Sequence, residues 1–363
     1  MQKLNNAIGD LGKRLIDGGE CFGGAAAIIE NGEVTVNMHF GDSRFKADSL
    51  YRLASVTKLF TAAAVMKLFD GKNIDVHTPV CDFIPSFSKI TLGRLNSDGS
   101  VSTVGKPSRP VTVFDLLTHT AGLGVGELGT REYSLIPSDV KTSLRSVTEY
   151  YANNFHLAFD PGTKAAYSGF AGYDVLARIV EIISGDAFDG YLQNEICRPL
   201  GMVDTTFQPT DEQYARLVPM HKRISGENRE IDFRGTLFRG IPRTYEAAGA
   251  SLVSSADDIL RFCRMLLNGG EGVMDSASVR RMLTPLLDRS LEGLSDGENN
   301  CFGCFAAVGD HRLPKETVYS HGAYGTHIIL QPEKKFAAVL LVNSLSDMST
   351  APHSALEFEK IVL

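Results

Sequence analysis

The chain has 363 residues, of which 43 % are hydrophobic and 22 % charged, so a mainly disordered or fibrous protein is excluded. Lys plus Arg total 36 and Asp plus Glu total 43, which gives a net charge of −7 and argues against a nucleic-acid partner. The longest apolar run, residues 336–342, is far shorter than the roughly 20 residues of a transmembrane helix. We therefore predict a globular chain with no nucleic-acid or membrane partner.

The N-terminal residues and the cysteines both bear on the compartment. Residues 1–15 lack the apolar core of a signal peptide. The six cysteines are scattered over a long chain, which is typical of reduced thiols rather than of a disulfide framework. These features predict a cytoplasmic protein.

The first half of the chain predicts a hairpin followed by helices. Residues 25–29 and 34–38 flank an Asn-Gly turn, the strongest short hairpin signal. Residues 55–69 are apolar on nearly every face, which predicts a helix in the protein interior, and Gly71 is its expected end. Polar residues 93–110 predict an exposed excursion. Three- and four-residue apolar spacing then predicts helices at 113–118, 147–154, 172–184 and 188–196.

The second half predicts one more interior helix and then strands. A loose stretch, 221–246, precedes a helix at 256–268 that has two Asp residues in its first turn and a Gly pair after it. Four short strands are predicted at 302–308, 317–320, 327–330 and 336–342, and a final helix at 353–362.

Strands at both ends and helices between them predict an α+β fold. We expect an antiparallel β-sheet flanked by helices, with a mainly helical insertion. The sheet domain would comprise residues 1–80 and 236–363, and the insertion residues 81–235, with the active site between them.

A Ser-x-x-K tetrad is the main candidate for chemistry, but the motif occurs four times. Serine and lysine at this spacing share one face only on a helix, and only Ser55 begins a long apolar helix. Burial there would lower the pKa of Lys58 and favour a neutral amine able to take the serine proton. On this tetrad alone, a helix-capping serine with a lysine reaching to water remains an open alternative. The tetrads are Ser43…Lys46, Ser55…Lys58, Ser86…Lys89 and Ser138…Lys141.

Other motifs favour structural interpretations. Residues 124–129 match G-x-G-x-x-G but follow a helical pattern, whereas a dinucleotide loop needs a strand before it and a helix after it. Cys301 and Cys304 form a C-x-x-C without a second pair, which favours two packed thiols over zinc. The histidines show no metal spacing, and His119 at a helix end suits a structural hydrogen bond. No G-x-S-x-G nucleophile elbow is present.

Residues 51–58, YRLASVTK, resemble the nucleophile segment of the serine β-lactamase-like hydrolases. That superfamily includes class C β-lactamases, DD-peptidases, D-amino-acid amidases and family VIII carboxylesterases. Further matches follow in the family's order, so the resemblance spans about residues 41–344. They are LLTHTAGL at 116–123, FDPG at 159–162, YSG at 167–169, PLGM at 199–202, GASLVSSADD at 249–258 and HGA at 321–323.

The resemblance implies a role for each motif residue. Ser55 would be the acyl-accepting nucleophile, with Lys58 as its buried partner. Tyr167, with its phenol held partly deprotonated near the lysine ammonium, could act as base and then return the proton to the leaving group. Whether Lys58 or Tyr167 is the base in each step stays open, because that depends on coupled pKa values. His321, Gly322 and Ala323 would line the site on a strand, the two small residues letting substrate lie close. The backbone N–H groups of Ser55 and Tyr324 would form the oxyanion hole. No metal or organic cofactor is implied.

Two departures from the family pattern affect the expected substrate. Gly169 stands where penicillin-recognising relatives usually have Asn, which removes a donor for a substrate amide. His321 stands where many relatives have Lys, and it carries charge only when protonated. Some DD-peptidases also have His there. Family VIII carboxylesterases tend to lose both residues, and HGAYG at 321–325 is similar to their third motif.

These features predict a serine hydrolase that cleaves small carboxylic esters through an acyl-enzyme on Ser55. The alternative within the family is a β-lactamase-like enzyme or a D-amino-acid amidase or peptidase. A catalytically idle binding protein is a third hypothesis, which the Ser55, Lys58 and Tyr167 set argues against. Oligomeric state is not predicted.

Overall fold

The computed structural model describes residues 2–231, 233, 236–238, 240–309, 312–345 and 353–363. The helices in these ranges are α1 (Gln2–Asp17), α2 (Thr57–Lys72), α3 (Val80–Phe83), α4 (Val113–Leu117), α5 (Gly126–Ser134), α6 (Leu144–Asn154), α7 (Ala171–Ser184), α8 (Phe188–Leu192), α9 (Asp211–Ala215), α10 (Ala256–Leu267), α11 (Ser276–Met282) and α12 (His353–Val362). The strands are β1 (Gly23–Glu30), β2 (Glu33–Gly41), β3 (Tyr51–Arg52), β4 (Thr91–Leu95), β5 (Val101–Gly105), β6 (His156–Leu157), β7 (Met220–Ile224), β8 (Glu227–Ile231), β9 (Thr236–Phe238), β10 (Ile241–Pro242), β11 (Val253–Ser254), β12 (Glu298–Asn300), β13 (Phe305–Ala307), β14 (Val318–Gly322), β15 (Thr326–Gln331) and β16 (Phe336–Leu341).

Both ends of the chain build one antiparallel sheet, as the sequence predicts. Within the described residues its strand order is β12-β13-β14-β15-β16-β1-β2. The β1–β2 turn has Asn31 at φ 54° and Gly32 at φ 84°, the left-handed conformations that an Asn-Gly hairpin turn requires. Ala25 of β1 pairs with Leu341 of β16, which brings the two ends of the chain together in the centre of the sheet.

Alternate residues of the central strands enter two separate cores. Ala25 and Ala27 join the large cluster that contains α2 and α10, whereas Ala26 and Ile28 join a smaller cluster with α1 and α12. Because side chains alternate across a strand, the sheet is covered by helices on both faces. The large cluster contains residues of α2, from the predicted sheet domain, and of α7, from the predicted insertion. This shared core marks no boundary between the two, so the predicted domain limits at residues 80 and 236 stay a prediction.

Helix α2 lies in the interior, as its apolar character predicts. Its residues 57–66 are all buried. The expected end at Gly71 is wrong, because the helix continues to Lys72 and Asn73 supplies the left-handed capping residue at φ 54°.

Several elements differ from the sequence expectations. Helix α1 was not predicted, and the predicted excursion at residues 93–110 contains most of a hairpin of β4 and β5. Residues 221–246 include the β7–β8 hairpin and the β9–β10 pair. In the G-x-G-x-x-G segment a helix does begin at Gly126, but α4 and not a strand precedes it.

Both thiols of the C-x-x-C segment are free and buried, as predicted, although Cys301 and Cys304 lie in the β12–β13 loop and not in a strand. Among the described helices, none is long and apolar enough to cross a membrane.

Candidate active site

Ser55 lies in a tight turn that connects β3 to α2. The turn is a 3-10 segment, Ala54–Val56, and Ala54 takes a left-handed φ of 48°, which is uncommon for a residue with a side chain. Asn343 holds the preceding strand by accepting the Arg52 N–H at 2.9 Å and donating to the Arg52 carbonyl at 3.0 Å. The sheet therefore fixes the position of the serine.

Lys58 lies one turn further along, and its amine is surrounded by oxygen atoms. Nζ is 3.4 Å from Ser55 Oγ and donates to the carbonyls of Gly169 and Gly249, each at 2.8 Å. Only 2 % of the residue is exposed, and neither Ser55 nor Val56 makes a side-chain cap. The alternative of a capping serine and a lysine that reaches water is therefore wrong.

Tyr167 lies over the lysine and is held by His119. Its ring centre is 4.8 Å from Lys58 Nζ and 4.7 Å from the His119 ring centre. The His119 carbonyl accepts the Ala166 N–H at 2.9 Å, and His119 Nδ1 accepts the Ser168 N–H at 3.1 Å. The structural role predicted for His119 is confirmed, and it orients the backbone on both sides of Tyr167.

The protonation state of His119 follows from its surroundings. Burial, together with the charge of Lys58, lowers the pKa of His119 to about 3. The ring is therefore neutral, and because Nδ1 accepts a hydrogen bond, Nε2 carries the proton. Among the described residues, the Tyr167 hydroxyl has no hydrogen-bond partner, and the residue is 45 % exposed. Its hydroxyl is thus open to a substrate.

The third-motif residues, at the end of β14 and directly after it, lie on two different faces. His321 and Ala323 line the same cleft as Ser55. Gly322 points the other way: a Cβ there would lie 2.5 Å from the Leu53 carbonyl oxygen and 3.0 Å from Ala54 Cβ. The expectation that Gly322 makes room for substrate is therefore corrected, because the glycine makes room for the turn that carries the serine.

His321 is neutral over most of the pH range. Burial, with smaller contributions from His327 and Arg312, lowers the pKa of His321 to about 4. The folded value lies below the ordinary value of 6.5, so the ring loses its proton before neutral pH is reached. The third motif thus offers no cation there at pH 7.

This shift predicts that His321 does not shape the pH dependence of activity. We expect the kcat/KM profile of His321→Asn to keep the wild-type shape between pH 5.5 and 8, since the imidazole is neutral throughout. Rates measured at half-unit pH intervals test this. A wild-type limb near pH 6.5 that disappears in the variant would contradict it.

Tyr324 lies in the turn between β14 and β15. Its side chain is buried, with its ring centre 4.9 Å from that of Phe238. The Thr326 hydroxyl donates to the Leu53 carbonyl at 2.8 Å, which joins this turn to the serine segment. The proximity supports, as a proposal, that the Ser55 and Tyr324 N–H groups share one oxyanion.

A buried carboxylate behind Lys58 was not predicted from the sequence. Asp174 of α7 accepts hydrogen bonds from the Tyr245 hydroxyl at 2.5 Å, the Tyr151 hydroxyl at 3.0 Å and the Ala248 N–H at 2.9 Å. Burial raises the pKa of Asp174 to about 6 despite these three donors. The carboxylate thus holds the N–H of Ala248, the residue before Gly249, whose carbonyl binds the lysine.

The cleft above the serine has a volume of about 500 Å³. Its rim includes the loop that follows Glu292. The Glu292 carbonyl accepts the Ala165 N–H at 2.8 Å, which fixes the start of this loop. Among the described residues, no group of His, Cys, Asp and Glu could hold a metal ion. Besides Ser55, Tyr167, His321 and Ala323, the cleft is lined by His119, Ala165, Ala166, Gly293, Leu294, Ser295, Asp296, Glu298, Asn300, Phe305 and Arg312.

Sequence reasoning missed the two carbonyls on Lys58 and the cation Arg312. Backbone carbonyls leave no signature in residue type, although Gly249 gives one hint. A Cβ at Gly249 would lie 2.6 Å from the Gly169 carbonyl oxygen and 3.3 Å from Lys58 Nζ, so only glycine permits this approach.

Comparisons with known proteins found relatives of this chain. A family model described as Beta-lactamase matches residues 10–359. The uncharacterized protein MT1414 of Mycobacterium tuberculosis is 30 % identical over 246 residues, which cover 66 % of this chain and 57 % of that protein. Esterase EstB of Burkholderia gladioli is 30 % identical over 274 residues, covering 66 % and 64 %. The D-alanyl-D-alanine-carboxypeptidase/endopeptidase AmpH of Escherichia coli is 28 % identical over 214 residues, covering 57 % and 51 %. The matches thus span between half and two thirds of these curated relatives.

Solved structures share the whole architecture. EstCE1, described as a hydrolase with promiscuous acyltransferase activity, has a TM-score of 0.83 at 22 % identity and covers 99 % of this chain and 98 % of its own. Simvastatin synthase LovD of Aspergillus terreus has a TM-score of 0.78 at 19 % identity, with coverages of 99 % and 97 %. At such identities the likeness establishes the fold, and the predicted α+β architecture is confirmed.

Proposed function

Because the chain belongs to the Beta-lactamase family, we propose that it is a serine hydrolase that cleaves small carboxylic esters through an acyl-enzyme on Ser55. The observation that carries the proposal is the placement of the Lys58 amine. It lies 3.4 Å from the serine hydroxyl oxygen, in a site from which water is excluded on the lysine side.

The hydrogen bonds of Lys58 define the direction of proton transfer. A neutral amine has two N–H groups and one lone pair. The carbonyls of Gly169 and Gly249 occupy two directions around Nζ, and the third direction faces Ser55 Oγ. When Lys58 is in its neutral form, with both N–H groups bound to carbonyls, its lone pair would be directed at the serine hydroxyl. This arrangement suits a general base that takes the serine proton as the serine oxygen attacks the ester carbonyl.

The remaining steps need an oxyanion site and a proton for the leaving alkoxide. The N–H groups of Ser55 and Tyr324 would stabilise the tetrahedral oxyanion. The open hydroxyl of Tyr167, which lines the cleft, would donate its proton to the alkoxide, and the Lys58 ammonium formed in the first step, beside the Tyr167 ring, would return a proton to the phenolate. Water would then attack the acyl-enzyme by the reverse proton path and release the acid. No cofactor takes part in this sequence.

Two residues favour an ester over a β-lactam or a D-amino-acid peptide. Gly169 provides no side-chain amide to hold a substrate amide, and neutral His321 provides no cation for a substrate carboxylate. The relative named esterase EstB fits this choice. The relative AmpH, named a carboxypeptidase/endopeptidase, keeps an amidase or penicillin-recognising enzyme as the second candidate.

The test is hydrolysis of p-nitrophenyl butyrate, with labelling by a fluorophosphonate that reacts with activated serines. We expect wild-type turnover and a single phosphonate adduct on the peptide that contains Ser55. Ser55→Ala should lose both while keeping its thermal unfolding midpoint. Ser138→Ala is the matched control, because its serine belongs to another Ser-x-x-K tetrad and is exposed.

Other outcomes separate the hypotheses. Acylation by the β-lactam nitrocefin, without turnover of any ester, would favour the second candidate. An unlabelled wild-type protein would favour a catalytically idle binding protein. Activity retained by Ser55→Ala would show that the nucleophile is a different residue.

A further inference from the structure

The cleft wall that leads away from Ser55 is aromatic. The ring centres of Tyr167 and Phe305 are 6.4 Å apart, and those of Phe305 and His321 are 6.2 Å apart. The His321 ring is nearly parallel to that of Tyr319, with centres 6.1 Å apart. Tyr167, Phe305 and His321 therefore line the cleft in sequence, and the buried Tyr319 ring packs beside His321.

Arg312 lies at the far end of this wall. Its guanidinium carbon is 5.6 Å from the Tyr319 ring centre, and the residue lines the cleft. Nε and Nη2 donate to the two carboxylate oxygens of Glu359 at 2.8 and 3.1 Å. Nη1 is 4.0 Å from Glu298 Oε1, which is too far for a hydrogen bond. Among the described residues, Nη1 therefore has no acceptor.

The carboxylates around Arg312 determine what it can bind. Glu359 is 6 % exposed, and although burial alone would raise its pKa, hydrogen bonds from His327 and Arg312 lower that pKa to about 2. Glu298 lies 4.0 Å from Nη1, and the exposed Asp296 lines the cleft. Two carboxylates thus lie against one guanidinium, and a third lines the same cleft, so a substrate carboxylate would meet net negative charge. An uncharged acceptor would still gain the Nη1 hydrogen bonds.

We propose that Arg312 is a specificity-determining residue that donates from Nη1 to an uncharged carbonyl oxygen, carried by the substrate away from the bond that is cleaved. The substrate class is then an ester with a second neutral carbonyl, such as a diester or keto ester. This inference rests on the proposed esterase function. The bidentate pair with Glu359 fixes the guanidinium of this cleft-lining residue and leaves Nη1 for a further acceptor.

Matched substrate pairs test this proposal in a pH-stat. Dimethyl glutarate, which has a second carbonyl in its acyl part, is compared with methyl hexanoate, which lacks it. Ethylene glycol diacetate, which has a second carbonyl in its alcohol part, is compared with pentyl acetate, which lacks it. The variants are Arg312→Met and Arg312→Lys, which keeps a cation beside Glu359. Arg280→Met, on the surface of α11, is the control. The readout is the ratio of the two kcat/KM values within each pair. A diester offers two cleavable bonds, and this statistical advantage cancels when each variant is compared with wild type.

We expect the wild type to prefer the carbonyl-bearing substrate in at least one pair. Both Arg312 variants should lower that preference about tenfold, mainly through KM, as expected for one charge-assisted hydrogen bond. Arg280→Met should not change it. For the wild type, the charged half-ester monomethyl glutarate should be a poorer substrate than dimethyl glutarate.

If folded Arg312→Lys and Arg312→Met both keep the kcat/KM ratio within twofold of wild type, the proposed role of Arg312 is overturned. A wild-type preference for the charged half-ester would overturn the choice of an uncharged acceptor. Both results leave the esterase function standing if p-nitrophenyl butyrate is hydrolysed. Failure of the wild type to hydrolyse every ester would instead overturn the esterase function and this inference with it.

Discussion

Replacing Lys58 by Met is expected to lower kcat for ester hydrolysis by about 10³-fold, within the range for loss of a general base. Methionine keeps much of the side-chain volume in α2 but removes the nitrogen that lies 3.4 Å from Ser55 Oγ. Without it, the serine hydroxyl has no described base on the lysine side. The rate of phosphonylation by a fluorophosphonate should fall in parallel, because it depends on the same activated oxygen.

A second substitution separates a base from a mere positive charge. Lys58→Arg restores a cation but not a base, because a guanidinium does not lose its proton near neutral pH. Its activity is therefore expected to be as low as that of Lys58→Met. Activity within tenfold of wild type in Lys58→Arg would show that Lys58 acts by charge alone.

Lys67→Met is the matched control for these variants. Lys67 lies on the same helix and also donates to a buried carbonyl, that of Val273, at 2.5 Å. It is not among the residues that line the cleft. We expect Lys67→Met to change stability but to keep kcat within about twofold, since no step of the proposed chemistry uses it.

Gly322→Ala is expected to reduce both activity and stability. The added Cβ would lie 2.2 Å from Thr326 Oγ1 and 2.5 Å from the Leu53 carbonyl oxygen. A backbone carbonyl cannot rotate away as a flexible side chain would, so the turn before Ser55 must move. Overpacking of this kind costs about 1–3 kcal/mol of unfolding free energy. A displacement of the nucleophile by about 1 Å can cost roughly 10²-fold in rate.

Thermal unfolding and p-nitrophenyl butyrate hydrolysis measure the two effects together. Gly190→Ala serves as the control, because its Cβ would meet nothing within 4 Å. The control should keep wild-type activity and lose no stability. A Gly322→Ala protein with wild-type kcat/KM would mean that the space beside the Ser55 turn does not position the nucleophile.

The local parts of the site could be predicted from the sequence. Ser55 and Lys58 are three residues apart at the beginning of a helix, so helical geometry alone brings their side chains together. The strand periodicity and the Asn-Gly turn likewise predicted the β1–β2 hairpin correctly. In each case the interacting residues are close in the chain, and their spacing carries the information.

Contacts between distant residues could not be predicted in this way. The two carbonyls on Lys58 lie 111 and 191 residues away from it, and every residue has a carbonyl. Arg312 is paired with Glu359 across 47 residues, and no spacing rule joins a loop to the C-terminal helix. The order of residues therefore says nothing about these partners.

By itself, the sequence determined the fold class, the interior position of α2 and the motif residues Ser55, Lys58 and Tyr167. These follow from the periodicity of apolar residues and from the resemblance of motifs, and both can be read from the linear sequence. Only the tertiary structure shows that Lys58 is buried and donates to two carbonyls. It also shows that Gly322 leaves space for the turn that carries Ser55. Burial and hydrogen-bond direction depend on all the neighbours at once, and these neighbours are set by packing of the whole chain.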